Sequence, residues 1–123
     1  MKSHRDLEVW KRSVDLVATV YELTNTFPKE ERYGITNQIR RAAVSIPSNI
    51  SEGAARSHNK EFVQFLYVSL GSISELETQI IISHNLKFLS SNDSIKIQNE
   101  LTELRKMILG LIRHIRSRVK SNE

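Results

Sequence analysis

Residues 27–53 read FPKEERYGITNQIRRAAVSIPSNISEG, which combines a turn, an amphipathic helix and a proline placed inside that helix. Pro28 and Gly34 predict a loop with a short helical turn, because residues of these types interrupt regular structure. From Ile35 onward the apolar residues recur every three or four positions, which is typical of one helical face. The segment therefore predicts a helix that begins near Ile35 and ends near Gly53.

Pro47 falls in the interior of this predicted helix. Proline lacks an amide hydrogen, so the hydrogen bond to the carbonyl of Ala43 is lost, and the ring crowds that carbonyl. Because the apolar spacing continues beyond the proline, we expect a kink within one helix rather than two separate helices.

Polar residues next to the proline are candidates for repairing the backbone. Ser48 or Asn49 could satisfy the groups that Pro47 exposes, a structural role that we favour over ligand binding. Glu52 could pair with Arg56 one turn later, a contact worth about 0.2–0.5 kcal/mol on an exposed helix. The structural motif predicted here consists of Pro47, Asn49, Glu52 and Gly53.

Three further helices are predicted from apolar residues at helical spacing. Helix one should run from about residue 6 to residue 24, and a loop should cover residues 25–34. Helix three should run from about residue 59 to residue 88, with Ser57 as its cap, and should be the longest. Helix four follows a loop and cap at residues 90–93. No segment shows the period of two expected of strands, so the pattern predicts an antiparallel, up-down four-helix bundle.

Helix one carries more apolar surface than one packing partner needs. Its first stripe consists of Leu7, Trp10, Val14, Val17 and Tyr21. A second stripe, about 100° away around the helix, consists of Val9, Leu16, Val20 and Leu23. We expect the first stripe to face the core and the second to be covered by something else.

The inner faces of helices three and four are predicted from the same spacing. Helix three should bury Phe62, Leu66, Ile73, Leu76 and Ile80. Helix four should bury a near-heptad stripe, Ile97, Leu101, Leu104, Ile108, Leu111, Ile115 and Val119. One sector of helix three has little side-chain bulk and permits close approach of another helix; it consists of Ser69, Gly71, Ser72 and Ser74.

Two other segments carry a family resemblance: DLEVWKRSVDL at residues 6–16 and GSISELETQ at residues 71–79. Together with the first segment, they closely resemble the bacterial four-helix-bundle proteins encoded in intervening sequences of 23S ribosomal RNA genes. The departures are small, with Ile35 where leucine is usual and with Ser51 and Ser69 where alanine is usual. The resemblance implies a ring-shaped pentamer, as in the similar accessory proteins of diversity-generating retroelements, and it implies no particular activity.

The composition is that of a globular protein of 123 residues, with 39% apolar and 26% charged side chains. This length fits one domain, residues 1–123. The absence of cysteine excludes disulfides, thiolate catalysis and cysteine-ligated metal centres. No apolar signal core is present, and no run reaches the ~20 apolar residues that span a bilayer. We therefore expect a cytoplasmic protein that does not enter a membrane.

Few side chains are placed for catalysis or metal binding. A di-metal site in a bundle uses Glu-x-x-His pairs, and the sequence contains none. The histidines are scattered, with no two on one helical turn; they are His4, His58, His84 and His114. Glu75 and Glu77 face different directions on a helix, and Ser72 lies in no G-x-S-x-G turn. We expect neither an enzyme nor a bound metal or cofactor.

The basic residues give the strongest functional indication, because they are concentrated in the last helix. Residues 105–123 hold six basic residues and one acidic residue, a net charge of +5, whereas residues 1–104 have a net charge of −1. The candidate nucleic-acid-binding residues there are Arg105, Lys106, Arg113, Arg116, Arg118 and Lys120. Lys106, Arg113 and Lys120 recur every seven positions and form one stripe. Arg40 and Arg41 form a second candidate site.

The sequence leaves three possible functions: a nucleic-acid-binding module, a protein adaptor and an enzyme. For a single copy, a solvated helix face explains the charges at least as well as nucleic-acid binding, but a ring of copies would multiply the phosphate contacts. We favour a homo-oligomeric binding or scaffolding module for RNA or another nucleic acid. No aromatic side chains alternate with the charges of helix four, so sequence-specific reading of single strands is not indicated. A protein adaptor that docks an acidic partner is the alternative, and an enzyme comes third.

Overall fold

A computed structural model describes His4 and residues 7–121 of the chain, with side chains as far as Arg118. This part of the chain contains four α-helices, one short 3-10 turn at Lys29–Glu31 and no strand. The helices are α1 (Glu8–Thr24), α2 (Ile35–Ala54), α3 (Asn59–Asn85) and α4 (Ser91–Ser121). The prediction of an all-α four-helix bundle is confirmed.

The helices form an antiparallel bundle in which consecutive helices are neighbours. α1 packs against α2 and α4, and α3 packs against the same two helices. The α1–α2 and α3–α4 connections meet at one end, where the ring centroids of Phe27 and Phe88 lie 5.7 Å apart. We call this the two-loop end, and we call the opposite end, which holds the α2–α3 connection, the one-loop end.

A single cluster of buried apolar side chains joins all four helices. Its largest fully buried members are Ile39, Ile46, Ile50, Leu66, Ile73, Leu76, Ile80, Ile97, Leu101, Leu104, Ile108 and Ile112. The core residues predicted for α3 are all buried. In α4 the prediction is wrong at one position, because Ile112 is 2% exposed whereas Leu111 is only partly buried. Val119 lies outside the described side chains.

The second apolar stripe of α1 lies deeper in the core than the first, contrary to the prediction, although Leu7, Trp10 and Val17 of the first stripe are partly buried against the core. Val9, Leu16 and Val20 of the second stripe are buried, whereas Val14 and Tyr21 of the first are exposed. The buried face also contains Ser13 and Thr24, whose hydroxyls donate within the helix, Ser13 to the Trp10 carbonyl at 2.8 Å and Thr24 to the Val20 carbonyl at 2.8 Å. These satisfied hydroxyls interrupt the apolar pattern of the true core face. A count of apolar residues alone therefore selects the wrong stripe.

The ends of the helices differ in detail from the prediction. α1 begins at Glu8, and the predicted start at residue 6 lies outside the described residues. α3 has 27 residues and α4 has 31, so α4 rather than α3 is the longest described helix. Ser57 does not cap α3, because the N-cap is His58, without a side-chain hydrogen bond. The predicted cap of α4 is found at Ser90, whose hydroxyl accepts a 3.1 Å hydrogen bond from the amide of Asp93. Residues 91–93, predicted to lie in the loop, are helical instead, because α4 begins at Ser91.

α3 ends earlier than predicted because the chain reverses at Lys87, which has a φ of 66°. The amide of Lys87 donates to the His84 carbonyl at 3.0 Å, and that of Phe88 donates to the Ser83 carbonyl at 2.9 Å. This bonding pattern is the Schellman motif, which usually has glycine at the left-handed position. Lysine there gives no sequence signal for a helix end.

Pro47 is buried within α2, which continues through it as one helix. The kink remains a prediction. Asn49 does not take the predicted role at the Ala43 carbonyl, because its Nδ2 donates to the Ser45 carbonyl at 2.8 Å and to the Ser45 hydroxyl at 3.0 Å. α2 ends one residue beyond Gly53, at Ala54.

The predicted pair of Glu52 and Arg56 does not form. The Arg56 Nε lies 4.0 Å from a carboxylate oxygen of Glu61, and the guanidinium lies 5.0 Å from the ring centroid of Phe65. Arg56 lies beyond the end of α2. The i,i+4 geometry that would bring it to Glu52 is therefore absent.

Candidate nucleic-acid interface

The two predicted basic sites lie far apart on the bundle. Arg40 contacts the last residues of α1, at the two-loop end, through a 2.9 Å hydrogen bond to Thr24. Arg116 lies over the ring of Tyr67, in the first part of α3 towards the one-loop end, at 5.4 Å from its centroid. The antiparallel packing therefore does not bring the Arg40–Arg41 pair together with the basic part of α4.

Arg105, the first basic residue of the α4 cluster, is held in a bidentate ion pair with Glu77 of α3. Its Nη1 donates to Oε2 of Glu77 at 2.9 Å, and its Nη2 contacts the other carboxylate oxygen. The hydrogen bond to Glu77 raises the pKa of the Arg105 guanidinium. Arg105 therefore joins α3 to α4 and has little capacity left for a phosphate.

A second bidentate pair, which no sequence pattern predicts, joins α1 to α4. Nε and Nη2 of Arg12 donate to the two carboxylate oxygens of Glu100, each at 3.0 Å. The hydrogen bond to Glu100 raises the pKa of Arg12 as well. Both pairs fix helices against each other at partly exposed positions.

The rest of the α4 cluster is more open to solvent. Lys106 lies 3.6 Å from Glu103 on the same helix, with both side chains at least half exposed. Arg113, Arg116 and Arg118 are exposed. Within the described part of the chain, neither Arg113 nor Arg116 has a carboxylate partner. Lys120 lies outside the described side chains.

Arg40 has a structural role at the junction of α1 and α2. Besides its bond to Thr24, its Nη2 donates to Oδ1 of Asn25 at 3.1 Å, and its guanidinium lies 4.5 Å from the ring centroid of Tyr21. Arg41 is exposed, and it makes no hydrogen bond or ion pair with the described residues. Adjacent arginines in the sequence thus have different roles, because one faces α1 and the other faces solvent.

An open cleft of about 690 Å³ lies beside Arg40 and Arg41, between α1, α2 and the connection that joins them. Its lining residues are Tyr21, Arg32, Tyr33, Asn37, Arg40, Arg41, Val44 and Ser45. We call it the tyrosine–arginine cleft. Arg32 and Tyr33 were not predicted as site residues, since only the path of the connection brings them to α2, and Tyr21 was predicted to face the core.

The exposed side of α3 is a continuous surface with little charge. Its apolar members are Tyr67, Val68, Ile81 and Ile82. Gly71, Ser74 and Thr78 lie between them and are also exposed, and Glu75 is the charged residue in this surface. We call these eight residues the outer face of α3. Of the four small residues predicted to permit close approach of another helix, Gly71 and Ser74 are exposed, whereas Ser69 and Ser72 are buried.

Other kinds of site receive no support from the described residues. Among them no group of three or more histidine, aspartate or glutamate side chains is placed to hold a metal ion. His84 and Ser91 are joined by a 3.0 Å hydrogen bond at the two-loop end, where both are exposed. In the same part of the chain no helix has the length and apolarity required to cross a membrane.

Comparison with known proteins places the chain in a family. Among solved structures, a protein of unknown function from the S23 ribosomal protein family of Bacteroides thetaiotaomicron VPI-5482 has a similar fold, with a TM-score of 0.76. The two are 20% identical, and the match covers 85% of this chain and 97% of the other. No curated protein matches the sequence. Residues 5–110 match the model of the 23S rRNA-intervening sequence protein family, so the chain belongs to that family.

Proposed function

We propose that the protein is a non-catalytic, single-domain, homo-oligomeric binding or scaffolding module of the cytoplasm, and that it binds RNA or another nucleic acid through basic surfaces. The observation that carries this proposal is the exposure of Arg113 and Arg116 on α4 without a carboxylate partner among the described residues. Guanidinium groups in that state can neutralise phosphates directly. Arg105 and Lys106 contribute less, because each has an acidic neighbour.

Assembly of several copies is the second part of the proposal. The outer face of α3 supports it, because several large apolar side chains are exposed on this one helix face, and exposed apolar surface commonly marks a protein interface. The number of copies, five, rests on the family resemblance. Size-exclusion chromatography with light scattering measures it, and a monomer at micromolar concentration would exclude assembly.

Electrostatic binding gives the proposal a quantitative test. Affinity for RNA should be largely independent of sequence and should fall steeply between about 50 and 200 mM salt, because phosphate contacts release counterions. The double variant Arg113→Glu, Arg116→Glu should reduce both the affinity and the salt slope. Its helicity should not change, since both residues lie outside the core.

A charge-matched control separates a local contact from a general effect of net charge. The variant Lys11→Glu, Lys96→Glu changes the same number of charges at exposed positions on α1 and on the first part of α4. We expect it to weaken RNA binding much less than the Arg113, Arg116 variant. Equal weakening by the two variants would show that α4 provides no specific surface.

A protein adaptor is the second candidate function, because the outer face of α3 provides apolar surface and α4 provides positive charge. Salt-dependent binding to RNA distinguishes the two candidates. Absence of RNA binding at about 50 mM salt, or binding that survives reversal of Arg113 and Arg116, would favour docking of an acidic partner protein.

A further inference from the structure

We propose that the tyrosine–arginine cleft binds an unpaired nucleotide, with the base stacked on Tyr33 and the adjoining phosphate held by Arg32 and Arg41. This inference rests on the proposed nucleic-acid function and specifies a second, chemically different site for it. The basic part of α4 offers charges to any nucleic-acid backbone, whereas the cleft combines charge with aromatic rings.

Tyr33 is the most unusual residue of the cleft. Its side chain is 87% exposed, so it contributes almost nothing to the buried core. An aromatic ring in this state has a free π-face, and a base can stack on it only after leaving its own helix. The cleft therefore favours unpaired nucleotides over a continuous duplex.

The charges of the cleft are available to an anion. Arg32 and Arg41 are exposed, and neither guanidinium makes a hydrogen bond or ion pair within the described chain. No carboxylate is among the lining residues. Glu31 is the nearest acid in sequence to Arg32, but its Oε2 accepts a 3.3 Å hydrogen bond from the amide of Ile35. The positive potential of the cleft is thus not cancelled by its own lining.

The opposite wall of the cleft is fixed in place. Tyr21 lies beneath the Arg40 guanidinium at 4.5 Å, and Arg40 is itself bonded to Thr24 and Asn25. Held in this way, Tyr21 and Arg40 need little ordering when a ligand binds, which lowers the entropic cost of binding. Asn37 adds an amide that can donate to, or accept from, the edge of a base.

The chain contains a matched control for the tyrosine. Tyr67 is also exposed, at 45%, and also has an arginine beside it, since Arg116 lies 5.4 Å from its ring centroid. Tyr67 lies towards the one-loop end, away from the cleft. Replacing Tyr67 therefore removes an exposed tyrosine beside an arginine without touching the proposed stacking site.

The test measures binding of three labelled probes by fluorescence anisotropy: single-stranded RNA, single-stranded DNA of the same sequence and duplex RNA. Tyr33→Leu should weaken binding of single strands about tenfold, as expected when one base loses its aromatic partner. It should leave duplex binding and helicity unchanged. Because Tyr67 lies beside Arg116, the readout for Tyr67→Leu is the ratio of single-strand to duplex affinity, which should not change. Arg41→Gln should weaken single-strand binding and reduce its salt slope.

A direct readout comes from single strands that contain 5-iodouridine, which crosslinks to stacked aromatic side chains on irradiation. We expect the crosslink at Tyr33, identified by mass spectrometry. Unchanged single-strand affinity in Tyr33→Leu, or a crosslink at Tyr67 instead of Tyr33, would exclude nucleotide binding in the cleft. Either result would leave the proposal for α4 intact. Failure of the wild-type protein to bind any probe at about 50 mM salt would overturn both. Equal competition by polyglutamate, together with unchanged single-strand affinity in Tyr33→Leu, would overturn nucleotide stacking in favour of binding to any polyanion through charge alone.

Discussion

The hydroxyl of Ser69 on α3 donates a 3.0 Å hydrogen bond to the carbonyl of Ile46 on α2, directly before Pro47. Both residues are fully buried. A side chain as short as serine reaches a backbone carbonyl of a neighbouring helix only where the two helices approach closely. Nearby, the hydroxyls of Ser45 and Ser72 lie 2.7 Å apart, which extends the same contact. The small residues of α3 therefore bring it against the segment of α2 that contains the proline.

Pro47→Ala tests whether that segment also shapes the subunit. The substitution restores an amide donor for the Ala43 carbonyl and improves intrinsic helix propensity by about 3 kcal/mol. If the predicted kink positions a subunit contact, oligomer mass should fall while helicity is kept or increased. Light scattering and circular dichroism make the two measurements. An unchanged mass together with a raised Tm would show that Pro47 has no role in assembly.

Gly53→Ala should destabilise the fold because α3 lies against this glycine. A Cβ built there would lie 2.8 Å from the Cβ of Phe65, 2.9 Å from a ring carbon of Phe62 and 3.2 Å from the Phe62 carbonyl oxygen. Overpacking of this kind costs about 1–3 kcal/mol, which outweighs the gain of about 0.5–1 kcal/mol from removing a helical glycine. Urea denaturation measures the change.

Gly71→Ala provides the control for that prediction. Gly71 is exposed within α3, and a Cβ there would meet nothing within 4 Å. The same substitution should therefore stabilise the protein by about 0.5–1 kcal/mol. Stabilisation by both substitutions would contradict the close packing of α2 on α3 at Gly53.

Glu77→Gln should separate stability from nucleic-acid binding. It breaks the bidentate pair with Arg105, whose side chains are about 30% exposed for the arginine and 26% for the glutamate. For a partly exposed pair we expect a loss of about 1 kcal/mol in the free energy of unfolding. RNA affinity should stay the same or rise, because Arg105 is released. A marked fall in RNA affinity would contradict the structural role given to this pair.

The parts of the fold that follow from sequence are those set by one strong local pattern. α2 and the inner face of α3 are predicted closely, because an unbroken apolar spacing defines each. The core face of α1 is not predicted correctly, because it contains two polar residues, Ser13 and Thr24. Their hydroxyls form hydrogen bonds within the helix, so these residues can be buried. The end of α3 is missed for a similar reason, because Lys87 takes a conformation that favours glycine.

The candidate sites are less predictable, because they depend on contacts between helices. Charge patterning places Arg105 and Arg113 in one cluster, but only packing against α3 shows that Arg105 is paired with Glu77. Likewise, Arg40 and Arg41 look equivalent in sequence until Thr24 and Asn25 are found to hold one of them. Tyr33 could not be predicted as a site residue, because it lies in the connection before α2 and belongs to no helical pattern.

Ile81 lies on the outer face of α3 and is 53% exposed. Ile81→Glu adds a charge to a surface whose members, apart from Glu75, are uncharged. Burying an unpaired carboxylate in an interface is strongly unfavourable, so the variant should form smaller species while keeping its helicity. Ile95→Glu is the matched control, because Ile95 is 57% exposed but lies on α4, outside this face. Light scattering should show a reduced mass for Ile81→Glu alone. A wild-type mass for Ile81→Glu, or an equal loss of mass for both variants, would show that the outer face of α3 is not an interface between copies.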